Sequence, residues 1–172
     1  MHVHFLDPYR DRASLVHAFD PRLKLVLVLV FIFVNALLPV GAWPVFILMF
    51  ALVLAAVILS ELGVVYVLKR SVLALPFVLA ALPLLFTVQG AALFSFPIGK
   101  WELSLSQPGL VRFISIALKS WISIQAAILL ASTTSFPDLL LAMRAIRIPR
   151  LLVSVFGLMW RYLFVLVDEA LR

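Results

Sequence analysis

The chain has 172 residues, of which 65% are apolar and only 13% charged, and it carries a net charge of +6. A soluble domain is about half apolar and a quarter charged, so these proportions exclude one and identify a membrane protein. The chain contains no cysteine, which removes a disulfide framework, a thiolate metal site and a thiol nucleophile.

Residues 1–24 form a polar segment with no small-residue cleavage pattern, so it reads as a cytoplasmic N-terminal segment rather than a signal peptide. It holds the only histidines, His2, His4 and His17. Two imidazoles in His-x-His without a carboxylate cluster make a poor metal site, and no metal ligands are expected. Residues 25–132 read as the transmembrane domain. Leu25 to Leu38, interrupted only by Asn35, is long enough to cross a bilayer with help from its flanks. Pro39, Gly41 and Pro44 then punctuate a very short connection, which predicts that the run Val45 to Leu59 returns beside it.

After Glu61 and a loop carrying Lys69 and Arg70, Val72 to Val88 predicts a third span, kinked at Pro76 and Pro83. Gln89 to Pro108 mixes Gly, Pro, Ser and aromatic residues and reads as an external loop with a short interfacial turn. Leu110 to Leu130 is the fourth span. It contains Lys119, whose role stays open between helix register, a contact with Gln125 and a transport pathway.

Residues 133–172 differ in character. Ser135-Phe-Pro-Asp138 resembles a capping box with proline in the first turn, predicting a helix from Phe136 to about Arg147 that Ile148-Pro149 ends. Arg150, Ser154, Gly157, Arg161, Asp168 and Arg172 recur at spacings of one helix stripe, which suits a helix packed against protein over most of its circumference with a polar stripe left for a partner. A fifth transmembrane helix is the competing reading. The fold class is therefore an all-α membrane protein: a bundle of about four transmembrane helices followed by cytoplasmic coupling helices.

Eleven Lys and Arg residues fall on the side of the termini, two on the other side, and Lys119 lies within a span. The positive-inside bias makes the first side cytoplasmic, with both termini inside. No His, Cys, Asp or Glu lies in the four spans, so intramembrane catalysis is not expected. The chain has no phosphate-binding loop, so it is not expected to hydrolyse ATP, and it needs no cofactor of its own. Nucleic acid is not an expected partner.

Ser14-x-x-His17-x-x-Asp20-Pro21-Arg22-x-Lys24-Leu25 resembles the motif ahead of the first span in the T component of energy-coupling-factor (ECF) transporters, the CbiQ/EcfT type. Ser132-Thr133-Thr134-x-x-Pro137-Asp138-Leu139-Leu140 with Ile148-Pro149, and then Arg161-Tyr162 with Asp168-Glu169-Ala170, are similar to later blocks of that family. The blocks occur in the family's order along nearly the whole chain.

The resemblance implies a non-catalytic subunit of an ATP-driven importer in the prokaryotic inner membrane. It would tie two ATP-binding ABC ATPase subunits, which hold the ATP, to a membrane substrate-binding S component. His17 in the first motif leans toward the cobalt or nickel branch. By the same resemblance Arg144, Arg147, Arg150, Arg161, Asp168, Glu169 and Arg172 are expected to couple to the ATPases, and His17, Asp20, Pro21, Arg22 and Lys24 form the motif ahead of the first span. Ala-Arg-Gly-like motifs and one more membrane helix would follow Arg172, so the chain reads as C-terminally short. Alternatives from other classes are a substrate-binding S component and a small intramembrane enzyme.

Overall fold

The computed structural model describes residues 14–88, 90, 92–98 and 101–170, without the side chains of Leu15, Ala18, Asp168 and residues 92–105. Nine α-helices and one short β-hairpin are found among them: α1 (Leu15–Ala18), α2 (Pro21–Leu37), α3 (Trp43–Leu59), α4 (Val64–Arg70), a 3-10 turn (Ser71–Ala74), α5 (Leu75–Ala81), α6 (Leu84–Thr87), β1 (Ala92–Ile98), β2 (Trp101–Ser106), α7 (Gln107–Thr133), α8 (Phe136–Ala145) and α9 (Arg150–Ala170). Proline occupies the first turn of α2, α3, α5, α7 and α8, where its missing N–H would have had no intrahelical acceptor. Ser14, Asp20, Ser106 and Ser135 cap their helices by accepting a backbone N–H in the first turn.

The helix α7 is the axis of the bundle, packed on by α2, α3, the 3-10 turn, α5 and α6. Val53, Val57, Leu62, Val67, Ile122, Ala126 and Leu129 form its apolar core. Ser60, Ser71, Ser106, Ser115 and Ser132 are also fully buried, as expected where small residues let membrane helices approach closely. The outer surface is apolar, with Phe33 and Ile47 each 70% exposed. A surface this apolar suits lipid rather than water. By length and composition Val64–Thr87, Gln107–Thr133 and Arg150–Val167 can each cross a membrane, and Trp43–Leu59 is a shorter apolar helix.

Three expectations are corrected. Lys69 and Arg70 lie inside the helical segment that continues into the third span, which starts at Val64; the connecting turn is Ser60 to Gly63, where Glu61 and Gly63 both adopt positive φ. The proline-driven kink is present, because Pro76 and Pro83 cannot donate to the carbonyls four residues earlier, and the helix changes to 3-10 before Pro76 and breaks at Leu82-Pro83. Gln89 to Pro108 is mostly not loop. Two antiparallel strands pair from Ala92↔Ser106 to Ile98↔Trp101, with an irregularity between Ala92 and Phe94. The alternation of apolar and polar residues in Trp101 to Ser106 carried that strand signal.

The third correction concerns α9. It doubles back along α8 as a helical hairpin, Trp160 stacking on Phe136 with ring centroids 4.3 Å apart and Gly157 facing Leu140. Val153 is the one fully buried residue described in α9. Most of the α9 circumference is therefore exposed, not packed against protein. Leu151, Leu152, Val155, Met159, Tyr162 and Leu166 make a broad apolar face on the side away from Val153 and Trp160.

Candidate functional site

The N-terminal end of α2 and the C-terminal end of α7 lie together, and α8 leaves from there. Thr134 and Ser135 are extended, so α7 stops and α8 starts in a new direction. Ser135 holds the start of α8: its hydroxyl donates to Asp138 Oδ2 at 2.6 Å and its oxygen accepts the Asp138 N–H. Across this joint Lys24 donates from Nζ to the Thr133 carbonyl at 2.8 Å. That carbonyl is at the helix end, where it has no intrahelical donor.

Lys24 is only 8% exposed, in the first turn of α2 and ahead of the apolar stretch from Leu25. Burial lowers the pKa of its ammonium from the usual 10.5, while Asp138 and Asp20 act in the opposite sense. A cleft of about 650 Å³ opens here, lined by His17, Asp20, Arg22, Lys24, Thr133 and Asp138. Two sequence blocks that are 109 residues apart at Lys24 and Thr133 thus form one polar joint. Of the first block, Asp20 caps α2 through the Arg22 N–H at 2.9 Å, Pro21 opens the helix, and His17 Nδ1 lies 2.6 Å from the Ser14 hydroxyl.

The expected coupling residues divide into two groups. Arg144, Arg147 and Arg150 surround a second cleft of about 800 Å³ with Ile148, Pro149 and Ser154, at the turn between α8 and α9. Arg161 and Glu169 sit farther along α9, both exposed; eleven residues at 1.5 Å each put Arg161 about 16 Å beyond Arg150. Asp168 belongs to α9 without a described side chain, and Arg172 lies outside the described residues. His2 and His4 also lie outside. No cluster of three His, Asp or Glu residues that could hold a metal is found among the described residues.

Arg147 has an unusual backbone. Its φ is +64°. The Ile148 N–H donates to the Met143 carbonyl and the Arg147 N–H to the Arg144 carbonyl, both at 3.2 Å. This is a Schellman closure, whose left-handed position glycine normally fills. An L-residue there costs about 1 kcal/mol.

A third constellation lies within the bundle. Lys119 Nζ donates to the carbonyls of Ala36 and Leu38 at the end of α2. Asn35 Nδ2 donates to the Lys119 carbonyl at 3.0 Å and to Ser123 Oγ at 2.9 Å, and the Gly41 N–H donates to Ser115 Oγ at 3.0 Å. Lys119 thus caps a helix C-terminus, where a cation is favoured and unpaired carbonyls need donors. Register is the role the geometry supports. The acceptors of Lys119 Nζ are these two carbonyls rather than Gln125, whose Nε2 is buried without a partner among the described residues. The signal was present as Asn35 in an otherwise apolar run and Lys119 in the middle of a mostly apolar one.

A family model described as cobalt transport protein, CbiQ, matches residues 12–172. The chain is 32% identical over 91 residues to the cobalt transport protein CbiQ of Rhodobacter capsulatus, a stretch that covers 53% of this chain and 37% of that protein. It is likewise 32% identical over 73 residues to the cobalt transport protein CbiQ of Salmonella typhimurium, covering 42% of this chain and 32% of the relative. The aligned stretches therefore span about a third of the length of these curated relatives.

Proposed function

This chain belongs to the CbiQ cobalt transport protein family, and we propose that it is the energy-coupling T component of an ECF-type importer, linking two ABC ATPase subunits to a substrate-binding S component. The transported substrate is a micronutrient, cobalt ion by the family's name, or nickel ion by the resemblance of the His17 motif. The chain itself carries no ATP-hydrolysing loop and supplies no catalytic group to the cycle. The basic end of the bundle, with Arg22, Lys24, Arg144, Arg147 and Arg150, faces the cytoplasm of a prokaryotic cell, and both termini lie there.

The observation that carries this reading is the joint at Lys24 and Thr133. It ties the start of α2 to the end of α7 at the base of the membrane bundle, where α8 also packs on α2, and Arg161 and Glu169 of α9 stay exposed. A helical hairpin packed on the base of the bundle through α8 is the kind of element through which movement of a docked ATPase can reach a membrane bundle. Alpha9 lies along the cytoplasmic face under this reading, its apolar side in lipid and its polar edge toward the ATPases.

Co-purification tests it. Full-length protein expressed with its neighbouring ATPase subunits should retain them in detergent, and ATPase activity should appear only in the assembled complex. Ligand binding by the chain alone, with no retained ATPase, is the result that overturns the assignment in favour of an S component.

A further inference from the structure

We propose that the cleft between α8 and α9 is a binding site for the headgroup of an anionic phospholipid of the adjoining leaflet. The inference goes beyond the coupling role and depends only on the chain residing in a membrane. Arg144, Arg147 and Arg150 are all exposed and line one cleft of about 800 Å³ with the hydroxyl-bearing Ser154. None of the three guanidinium groups has an ion pair among the described residues. Guanidinium presents paired donors that match phosphate oxygens, so three around one cleft form an anion site rather than a diffuse positive surface.

The backbone adds a second, independent observation. Arg147 occupies the left-handed position of the α8 closure at φ +64°. Glycine is the residue that fits this position without strain, so an arginine here places a guanidinium in the cleft against local conformational preference.

The surroundings select the source of the phosphate. Leu151, 75% exposed, Leu152 and Val155 continue directly from Arg150 along α9 and leave a wide apolar face uncovered. A soluble phosphate has no use for that face. A phospholipid does: its phosphate sits among the arginines while its acyl chains lie along the leucines, the arrangement by which a basic, amphipathic helix holds an anionic membrane surface.

The test uses the full chain purified in neutral detergent and titrated with phosphatidylglycerol or phosphatidylcholine, with bound lipid counted by native mass spectrometry. Wild type should retain phosphatidylglycerol preferentially. Arg147→Gly, which suits the backbone and removes only the guanidinium, should weaken that preference on the order of five-fold, and Arg144→Gln with Arg150→Gln should remove most of what is left. Arg112→Gln removes the same charge at the opposite end and should leave the preference unchanged. Three results would overturn the proposal: equal retention of the two lipids by wild type, an unchanged preference in Arg147→Gly, or full displacement of the lipid by millimolar inorganic phosphate, which would mark a site for free anions.

Discussion

Lys24 donates its ammonium hydrogen to the carbonyl of Thr133 at 2.8 Å, joining the first turn of α2 to the last turn of α7. This contact makes one element of two motifs at opposite ends of the chain. It lies at the base of the α8 and α9 hairpin, where α8 also packs on α2.

Replacing Lys24 should loosen that hairpin. Lys24→Ala leaves a buried carbonyl without its donor, a loss of about 1–3 kcal/mol. The melting temperature in detergent should fall, and protease cleavage near Thr134 and Ser135 should accelerate ahead of global unfolding.

The same residue makes stability depend on pH in a defined direction. Burial lowers the Lys24 pKa in the folded state below its ordinary 10.5. Between the two values the unfolded chain binds more protons than the folded one, so stability rises with pH across that alkaline window. Below the lowered folded value both states are protonated, the slope vanishes and the burial penalty is fully expressed. Melting curves of wild type against Lys24→Met should show a positive slope in this window that the variant lacks.

The clamp between α2 and α7 should be strongly cooperative. Lys119→Met exposes no new charge but leaves the Ala36 and Leu38 carbonyls without their donor, and Asn35→Leu removes the second tie. Each is expected to destabilise the bundle by about 1–3 kcal/mol. The double variant should lose less than the sum, because both ties fix the same register. If Lys119 served transport rather than register, Lys119→Met would abolish uptake with an unchanged melting temperature.

Arg147→Gly separates stability from function. Relief of the left-handed strain offsets the added freedom of the unfolded chain, so stability should stay level or rise by up to about 1 kcal/mol. A drop of several kcal/mol on chemical denaturation would show that the guanidinium makes a structural contact instead.

Most of the architecture was legible because its signals are local. Proline in the first turn, serine and aspartate caps and uninterrupted apolar runs located α2, α3, α7 and α8 closely. The third span was misjudged at its start because Lys69 and Arg70 read as loop, whereas helix α4 carries them at its end, Arg70 lying over the Tyr66 ring at 5.1 Å. The hairpin at 92–106 was obscured by the expectation that glycine, proline and serine mean loop. Partners distant in sequence were not legible at all: nothing local to Lys24 names the Thr133 carbonyl, and nothing local to Lys119 names the end of α2. The gathering of Arg144 and Arg147 beside Arg150 was not legible for a related reason. Helix periodicity places Arg150 and Arg161 on one stripe of α9, and the turn at Ile146 to Pro149 adds Arg144 and Arg147 beside Arg150.

The measurement that tests the coupling role of α9 most directly is site-specific crosslinking from position 161. The chain has no native cysteine, so Arg161→Cys in the full-length protein provides a single reactive site, and the same site reports depth through quenching by lipid-bound probes. The account predicts a crosslink to an ATPase subunit in assembled membranes, label accessible from the cytoplasm, and shallow quenching across positions 158–164. Deep quenching at those positions, with no crosslink to any ATPase and full uptake in Arg161→Leu, would make α9 a fifth membrane span and contradict its assignment as a coupling helix.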